Sequence, residues 1–198
     1  MTAIRSAEET VALYAWDVYG QLESVRSQDA TATYTYGPHG MRERKSVVTP
    51  SGETTTTSFW HGDALVAELD SDGAFYRYLY GPEGMPLELV VEREGVAAKR
   101  YAYQVGPGGH VVGLTTESGS VAARYFYDPQ ARVLSATGTE PALANRQPLR
   151  YRAYYYDTET QMYYLPERYY DPALARFISQ DPAAIPSTQV PPACTVLR

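Results

Sequence analysis

Hydrophobic and polar residues alternate over short stretches along most of the chain, and turn-forming residues separate these stretches. Alternation with a period of two places successive side chains on opposite faces of a β-strand. Clear examples are "LVAEL" (65–69), "LELVVE" (87–92), "HVVGLTT" (110–116) and "ARVLSA" (131–136). A helical turn is expected at "EPALANRQ" (140–147). The pattern otherwise predicts an all-β chain.

A second pattern, aromatic–any–aromatic followed by a turn former, recurs seven times at intervals of 20 to 29 residues, and a last copy follows more closely. Internal repeats of this length are typical of stacked supersecondary units. The copies are "YAWDVYGQL" (14–22), "YTYGPHGMR" (34–42), "SFWHGDALV" (58–66), "YLYGPEGMP" (78–86), "YAYQVGPGG" (101–109), "YFYDPQARV" (125–133), "YYYDTETQM" (154–162) and a tighter "RYYDPALAR" (168–176).

Each copy predicts one β-hairpin. Two aromatic residues at i and i+2 share one face of a strand, and the Asp, Gly and Pro residues that follow favour a turn. The chain is therefore expected to form tandem antiparallel hairpins in a curved open sheet. The repeat-defining residues are Tyr14, Trp16, Asp17, Gly20, Tyr34, Tyr36, Gly40, Tyr78, Tyr80, Gly84, Tyr101, Tyr103, Tyr125, Tyr127, Asp128, Tyr154, Tyr156, Asp157, Tyr169, Tyr170 and Asp171.

Composition narrows the classes of partner. The chain has 19 Tyr against 4 Phe and 2 Trp. Its net charge of −6 argues against nucleic acid as a binding partner. Arg42, Arg44 and Lys45 form the tightest basic cluster and are expected on a solvated strand face. No apolar run reaches the roughly 20 residues of a membrane span, and no signal peptide is visible. Cys194 is the single cysteine, so no internal disulfide is expected.

The repeats resemble the YD repeats of the rearrangement-hotspot (Rhs) proteins, which also occur in the C component of Tc toxins and in teneurins. The resemblance covers about residues 14–182. Its most specific part runs from Tyr163 to Phe177, in "YYLPERYYDPALARF", which resembles the Rhs-associated core. The sequence departs from the family at Ala153, Gln161 and Ala175, where the family usually has Gly, and at "PER" (166–168), where it has an Arg-Ala-Arg-like run.

The resemblance implies a fragment of an Rhs-type β-shell, a hollow ribbon of strands that encloses a toxic C-terminal polypeptide. We divide the chain into a lead-in (1–13), a hairpin array (14–150), a core segment (151–182) and a Pro-rich tail (183–198). The family's continuation beyond Asp181-Pro182 is not visible here, and seven or eight hairpins are too few for a closed shell. Export without a classical signal is expected if the chain belongs to a toxin system.

Some relatives carry an aspartyl autoprotease near this segment, which makes Asp171 and Asp181 the catalytic candidates, with Arg168 and Arg176 as their charge partners. A carboxylate pair of this kind must lie close enough to share a proton. However, Asp17 and Asp128 occupy the same repeat position as Asp171, which favours a turn-forming role. The arginines could equally stack on tyrosines.

Three functional hypotheses follow. The preferred one is a non-catalytic structural module of a polymorphic-toxin shell, without a cofactor; the alternatives are an autoprotease and a glycan- or protein-binding module. Rows of Tyr154–Tyr156, Tyr163, Tyr164, Tyr169 and Tyr170 could stack on sugars, but same-face packing between strands is preferred. His39, His61 and His110 are scattered at turns, so no metal site is expected. The expected partners are the remaining shell, a toxin, or a second copy bound through open edge strands.

Overall fold

The computed structural model describes residues 2–5, 10–166 and 168–179, so that Asp181, Cys194 and the tail at 183–198 lie outside it. Within it, thirteen antiparallel strands form one sheet in which sequence neighbours pair. This confirms the predicted all-β hairpin array. The strands are β1 (Thr2–Arg5), β2 (Thr10–Trp16), β3 (Leu22–Ser27), β4 (Thr31–Tyr36), β5 (Arg42–Thr49), β6 (Gly52–His61), β7 (Ala64–Asp70), β8 (Phe75–Tyr80), β9 (Pro86–Arg93), β10 (Val96–Val105), β11 (Val111–Thr116), β12 (Val121–Tyr127) and β13 (Val133–Thr137).

The aromatic repeat divides the sheet into two faces. The first aromatic of a unit is buried, as at Tyr14, Tyr34, Tyr78 and Tyr125. The second aromatic lies on the same face and is partly buried against the same core. We call this the covered face, because the C-terminal part of the chain packs on it, and the opposite one the open face. Tyrosine at i and i+2 therefore builds the core, as same-face residues of a strand should.

The turns after the aromatic pair in the first, second, fourth, fifth and sixth units share one geometry. The first turn residue donates its backbone N–H to the carbonyl four residues later, as Asp17 does to Gln21 at 2.9 Å. The residue three positions after the first has a positive φ, 80° at Gly20 and 74° at Gly84. Glycine suits this position because it has no Cβ to clash there. In the sixth unit the same position is Ala131, with a φ of 74°.

The turn geometry also aligns the fifth unit. Its turn begins at Gly106, whose N–H donates to His110 at 2.8 Å. Tyr103 and Val105 therefore correspond to Tyr14 and Trp16 of the first unit. The aromatic spacing alone assigns Tyr101 and Tyr103 to these positions, two residues earlier. The "GPGGH" stretch is a turn with a short 3-10 segment, Pro107–Gly109, as its sequence predicts.

The C-terminal part crosses the covered face. It starts with a short helix, α1 (Pro141–Arg146), where one helical turn was expected, and a 3-10 turn, Tyr151–Ala153. A four-stranded antiparallel sheet follows. Its tyrosines Tyr155, Tyr164 and Tyr169 share one hydrophobic core with the tyrosines of the large sheet. The strands are β14 (Tyr155–Asp157), β15 (Met162–Leu165), β16 (Arg168–Asp171) and β17 (Arg176–Phe177).

The departures from the family's glycines coincide with unusual backbone. Ala153, Gln161 and Ala175 have φ values of 56°, 57° and 52°. This left-handed region costs a residue with a Cβ roughly 1–2 kcal/mol. The family pattern therefore marks real conformational requirements, which this chain meets without glycine.

Candidate functional site

The two sheets are joined by buried charges. Arg42 on β5 binds Asp157 on β14 through two hydrogen bonds, Nη1 to Oδ2 at 2.5 Å and Nη2 to Oδ1 at 3.0 Å. Lys45 donates to the same carboxylate at 2.9 Å and to Glu159 at 3.2 Å. Neither Arg42 nor Asp157 is exposed to solvent. We call Arg42, Lys45, Asp157 and Glu159 the Arg42 cluster.

The prediction that Arg42 and Lys45 lie on a solvated strand face is wrong. Arg42 immediately follows a repeat turn, at the position where other units have Leu22, Leu65 and Val111 on the covered face. Lys45 returns to that face, and its side chain is only 13% exposed. Arg44, between them, points outward and is exposed, as predicted. A β-bulge at Glu43 shifts the alternation by one residue, so that Arg42 and Lys45 share the covered face while Arg44 points away from it.

The Arg42 cluster is also lined by rings. The Arg42 guanidinium carbon lies 4.5 Å from the ring centre of Tyr155 and 4.6 Å from that of Tyr164. Cation–π contacts of this kind favour a desolvated guanidinium. Tyr169 accepts a further hydrogen bond from Arg42 Nη1 at 3.0 Å. The tyrosines of the small sheet therefore stabilise the positive charge of Arg42, which water does not reach.

The two carboxyl groups of this cluster respond oppositely to burial. Burial alone would raise the pKa of Asp157, but Arg42 and Lys45 outweigh burial and lower it. Burial raises the pKa of Glu159, and Lys45 does not offset it. Asp157 is thus the firmly ionised partner of the arginine.

A second buried cluster lies between β7 and α1 and consists of Glu68, Asp70 and Arg146. Arg146 donates to Glu68 at 2.9 Å and to Asp70 at 2.7 Å. Tyr155 of the small sheet donates its hydroxyl to Glu68 at 2.7 Å. We call Glu68, Asp70 and Arg146 the Glu68 cluster. It connects α1 and the small sheet to the middle of the hairpin array.

A local change in the repeat makes room for Glu68. The third unit has Ser58 where the other units have a first tyrosine, and Ser58 donates to Glu68 at 3.1 Å. Burial alone would raise the pKa of Glu68, but the charge of Arg146 together with hydrogen bonds lowers it. The missing aromatic at Ser58 is therefore the sequence signal that could have located this cluster.

The second aromatic of several units links neighbouring hairpins. Each donates a side-chain hydrogen bond to a backbone carbonyl just after the preceding repeat turn. The bonds run from Tyr36 to Leu22 at 2.9 Å, from Trp60 to Arg42 at 2.6 Å, from Tyr80 to Leu65 at 2.8 Å and from Tyr127 to Val111 at 2.6 Å. The polar tip of the tyrosine therefore has a structural use that Phe could not supply.

The carboxylate of Asp171 forms a turn. Its Oδ1 accepts the backbone N–H groups of Ala173 and Leu174 at 2.8 and 3.2 Å. Asp17 and Asp128 hold their turns in the same way. Asp181 lies outside the described residues, so its distance from Asp171 stays open. Arg168 stacks over the ring of Phe177 at 4.4 Å, and the side chain of Arg176 is exposed.

The tyrosine rows are mostly interior. Tyr155, Tyr156, Tyr163, Tyr164 and Tyr169 are buried, as expected for same-face packing. Of the candidate sugar platform, Tyr154 and Tyr170 alone are partly exposed. Glycan binding therefore stays a prediction that rests on these two rings.

Within the described ranges, no group of three His, Cys, Asp or Glu side chains is arranged to hold a metal ion. The helices described there are also too short to cross a lipid bilayer.

The sequence is similar to parts of much longer toxins. No protein-family model matches the chain. It is 33% identical over 175 residues to the tRNA3(Ser)-specific nuclease WapA of Bacillus spizizenii, a match that covers 85% of this chain and 7% of the relative. It is 27% identical over 209 residues to double-stranded DNA deaminase toxin A of Burkholderia cenocepacia, covering 93% of this chain and 14% of the toxin.

The fold is shared with a solved toxin assembly. The crystal structure of TcdB2-TccC3 matches with a TM-score of 0.69 at 18% identity, over 87% of this chain and 9% of that chain. The fold class is therefore that of Rhs-type β-shells: an open antiparallel sheet of tandem hairpins. The similar sequences and the similar structure are consistent with the Rhs resemblance.

Proposed function

We propose that the chain is a non-catalytic structural module of an Rhs-type polymorphic toxin used in interbacterial competition. In this proposal residues 14–150 form part of the wall that encloses a toxin during delivery. The segment 151–182 closes that wall on its covered face, and the lead-in (1–13) and tail (183–198) connect it to neighbouring parts. The partners are the remaining shell and its cognate toxin.

The observation that carries this proposal is the buried closure itself. The small sheet is held by an ion pair, Arg42 to Asp157, whose groups are inaccessible to solvent. The Glu68 cluster adds a second buried attachment. A segment fixed in this way serves a permanent wall better than a cleft that must admit a substrate.

The comparisons add independent support. One relative is named as a tRNA nuclease and another as a DNA deaminase, and this chain is similar to a small share of each. Two different chemistries cannot both reside in the one region that the two toxins share with this chain. The shared region is better explained as the common scaffold.

A chimera tests the scaffold role. The segment of the Bacillus spizizenii WapA that matches this chain would be replaced by this chain. We expect the chimera to keep its C-terminal part resistant to added protease, and an Asp157→Asn chimera to lose that resistance. Loss of resistance in the first chimera, while the isolated chain still unfolds cooperatively, would overturn the proposal.

Intact mass tests the non-catalytic part. The purified chain would be incubated for a day at pH 5 and pH 7 beside Asp171→Asn and Asp181→Asn variants. We expect one unchanged mass in all three proteins. A cut near Asp181 that either variant abolishes would establish the autoprotease alternative instead.

A further inference from the structure

Each of the six repeat hairpins of the large sheet contains a β-bulge at the same place. In the fourth unit, Leu79 pairs with Glu88 but Tyr80 pairs with Pro86, so Leu87 has no direct partner across the strand pair. The fifth and sixth units skip Val112 and Leu134 in the same manner. Repeated bulges of this kind redirect one side chain per hairpin.

The redirected side chains lie on the open face. A Cβ added to Gly106 would lie 3.2 Å from Cγ1 of Val112. Gly106 directly follows Val105, which packs on the covered face, so its Cβ direction is toward the open face. In the second unit, a Cβ on Gly37 would likewise meet the bulged Glu43. The bulge position therefore presents its side chain outward.

A second apolar row stands beside the bulges. Phe59, Leu79 and Phe126 each lie between two residues of the covered face and so point to the open face. Together with the bulged residues they form what we call the open-face stripe. Its six members are between 39% and 62% exposed: Phe59, Leu79, Leu87, Val112, Phe126 and Leu134.

The stripe is confined to units three to six. Alternate strands of a sheet lie about 9.6 Å apart, so successive hairpins repeat the apolar positions at that spacing. In the first two units the matching positions hold Ala15, Glu23, Thr35 and Glu43. The apolar character is therefore a property of one part of the open face and not of the repeat in general.

Size and charge indicate what would cover the stripe. Six half-exposed side chains of this size offer roughly 500 Å² of apolar surface, which approaches the ~800 Å² that each partner contributes to a stable interface. Two ion pairs lie beside the stripe: Arg77 pairs with Glu92 at 2.6 Å, and Arg100 pairs with Glu88 at 3.0 Å. Exposed Arg124 adds one positive charge to this face, so the local surface has little net charge in a chain whose net charge is −6.

We propose that the open-face stripe is a dimerisation surface on which a second copy of this chain packs face to face. An apolar stripe with a regular spacing and little net charge is complementary to itself under a two-fold rotation. Two sheets packed through apolar faces form a sandwich about 10 Å thick. The proposal goes beyond the scaffold function and does not depend on it.

Sedimentation of the full chain over a wide concentration range tests this dimer. Leu87→Glu and Phe126→Glu place a charge in the middle of the stripe at exposed positions, where folding should tolerate them. We expect each variant to raise the dimer Kd by at least about tenfold, since a loss of 1.4 kcal/mol has that effect. Val18→Glu and Tyr19→Glu are matched controls, because these apolar residues are 94% and 84% exposed but lie outside the stripe.

Three results would overturn the proposal. The first is a chain that stays monomeric at all concentrations. The second is equal weakening of the dimer by the stripe variants and by the Val18 and Tyr19 controls. The third is a dimer lost in Ser135→Pro, at the edge strand β13, but retained in the stripe variants, which would indicate edge-to-edge pairing. Unfolding midpoints of Leu87→Glu and Phe126→Glu that match the wild type at a dilute, monomeric concentration would show that a loss of dimer is not a loss of fold.

Discussion

Arg42 and Asp157 are 115 residues apart in the sequence, yet the Arg42 guanidinium donates to both carboxylate oxygens of Asp157 at a site that solvent does not reach. Breaking a buried pair by removing one partner is costly because the other charge is left without compensation. The pair therefore couples the stability of the array to the presence of the C-terminal sheet.

Removal of one charge from this pair should have a large effect. We expect Asp157→Asn to lower the free energy of unfolding by about 3–5 kcal/mol, measured by urea denaturation. Asp128→Asn is the matched control, since Asp128 holds the same repeat position but pairs with Arg132 at the surface. A similar loss in both variants would contradict the importance of burial.

The hydroxyl groups that link the hairpins can be removed one at a time. We expect Tyr80→Phe and Tyr127→Phe each to cost about 1 kcal/mol, because each leaves a backbone carbonyl without its donor. Tyr103→Phe is the control, since its buried hydroxyl has no hydrogen-bond partner in the described part of the chain. That variant should be neutral or slightly more stable. Thermal unfolding of the three variants would show whether this order holds.

Glycine should improve the turns where this chain has a side chain at positive φ. We expect Gln161→Gly and Ala175→Gly each to stabilise the fold by about 0.5–1 kcal/mol, the relief of left-handed strain less the entropy of glycine. Ala173→Gly, in the same turn as Ala175, has no such strain to relieve and should be slightly destabilising. Chemical denaturation would test these signs, and a loss in all three would contradict the strain argument.

Stability should depend on Glu68 in a pH-dependent way. The folded pKa of Glu68 lies below its ordinary value of 4.5 because Arg146 and hydrogen bonds outweigh burial. Its contribution is therefore complete above pH 4.5 and is lost as the pH falls through the folded pKa. We expect the difference in unfolding free energy between the wild type and Glu68→Gln to shrink with acidification below pH 4.5. A difference that stays constant from pH 7 to pH 3 would contradict this assignment.

The sequence predicts the repeat but not the charges that close it. Tyr14, Tyr34 and Tyr125 fall on the covered face because alternation is a local property of strands. The burial of Arg42 was missed because its partner lies on another sheet, and nothing local shows that Asp157 will face it. Asp157 even fits the turn position of the repeat, and its backbone carbonyl does accept the N–H of Gln161 at 2.7 Å.

Ser58 is the position at which the third unit departs from the aromatic repeat. A serine at the position of the first tyrosine leaves space on the covered face, and Glu68 stands on the paired strand opposite it. A break in an otherwise regular array is thus informative about polar interior sites. The identity of Arg146 as the partner still requires the path of the chain through α1, which the repeat does not encode.

The separation of Arg42 from Asp157 also bears on the order of events during synthesis. Hairpins pair with their sequence neighbours, so each could form as it leaves the ribosome, from the N-terminus onward. The Arg42 side chain would then stay exposed to water until the 115 residues up to its partner Asp157 had been made. The nascent sheet would remain solvated along its tyrosine face for that time, so burial of the covered face would depend on synthesis of the strands β14 to β17.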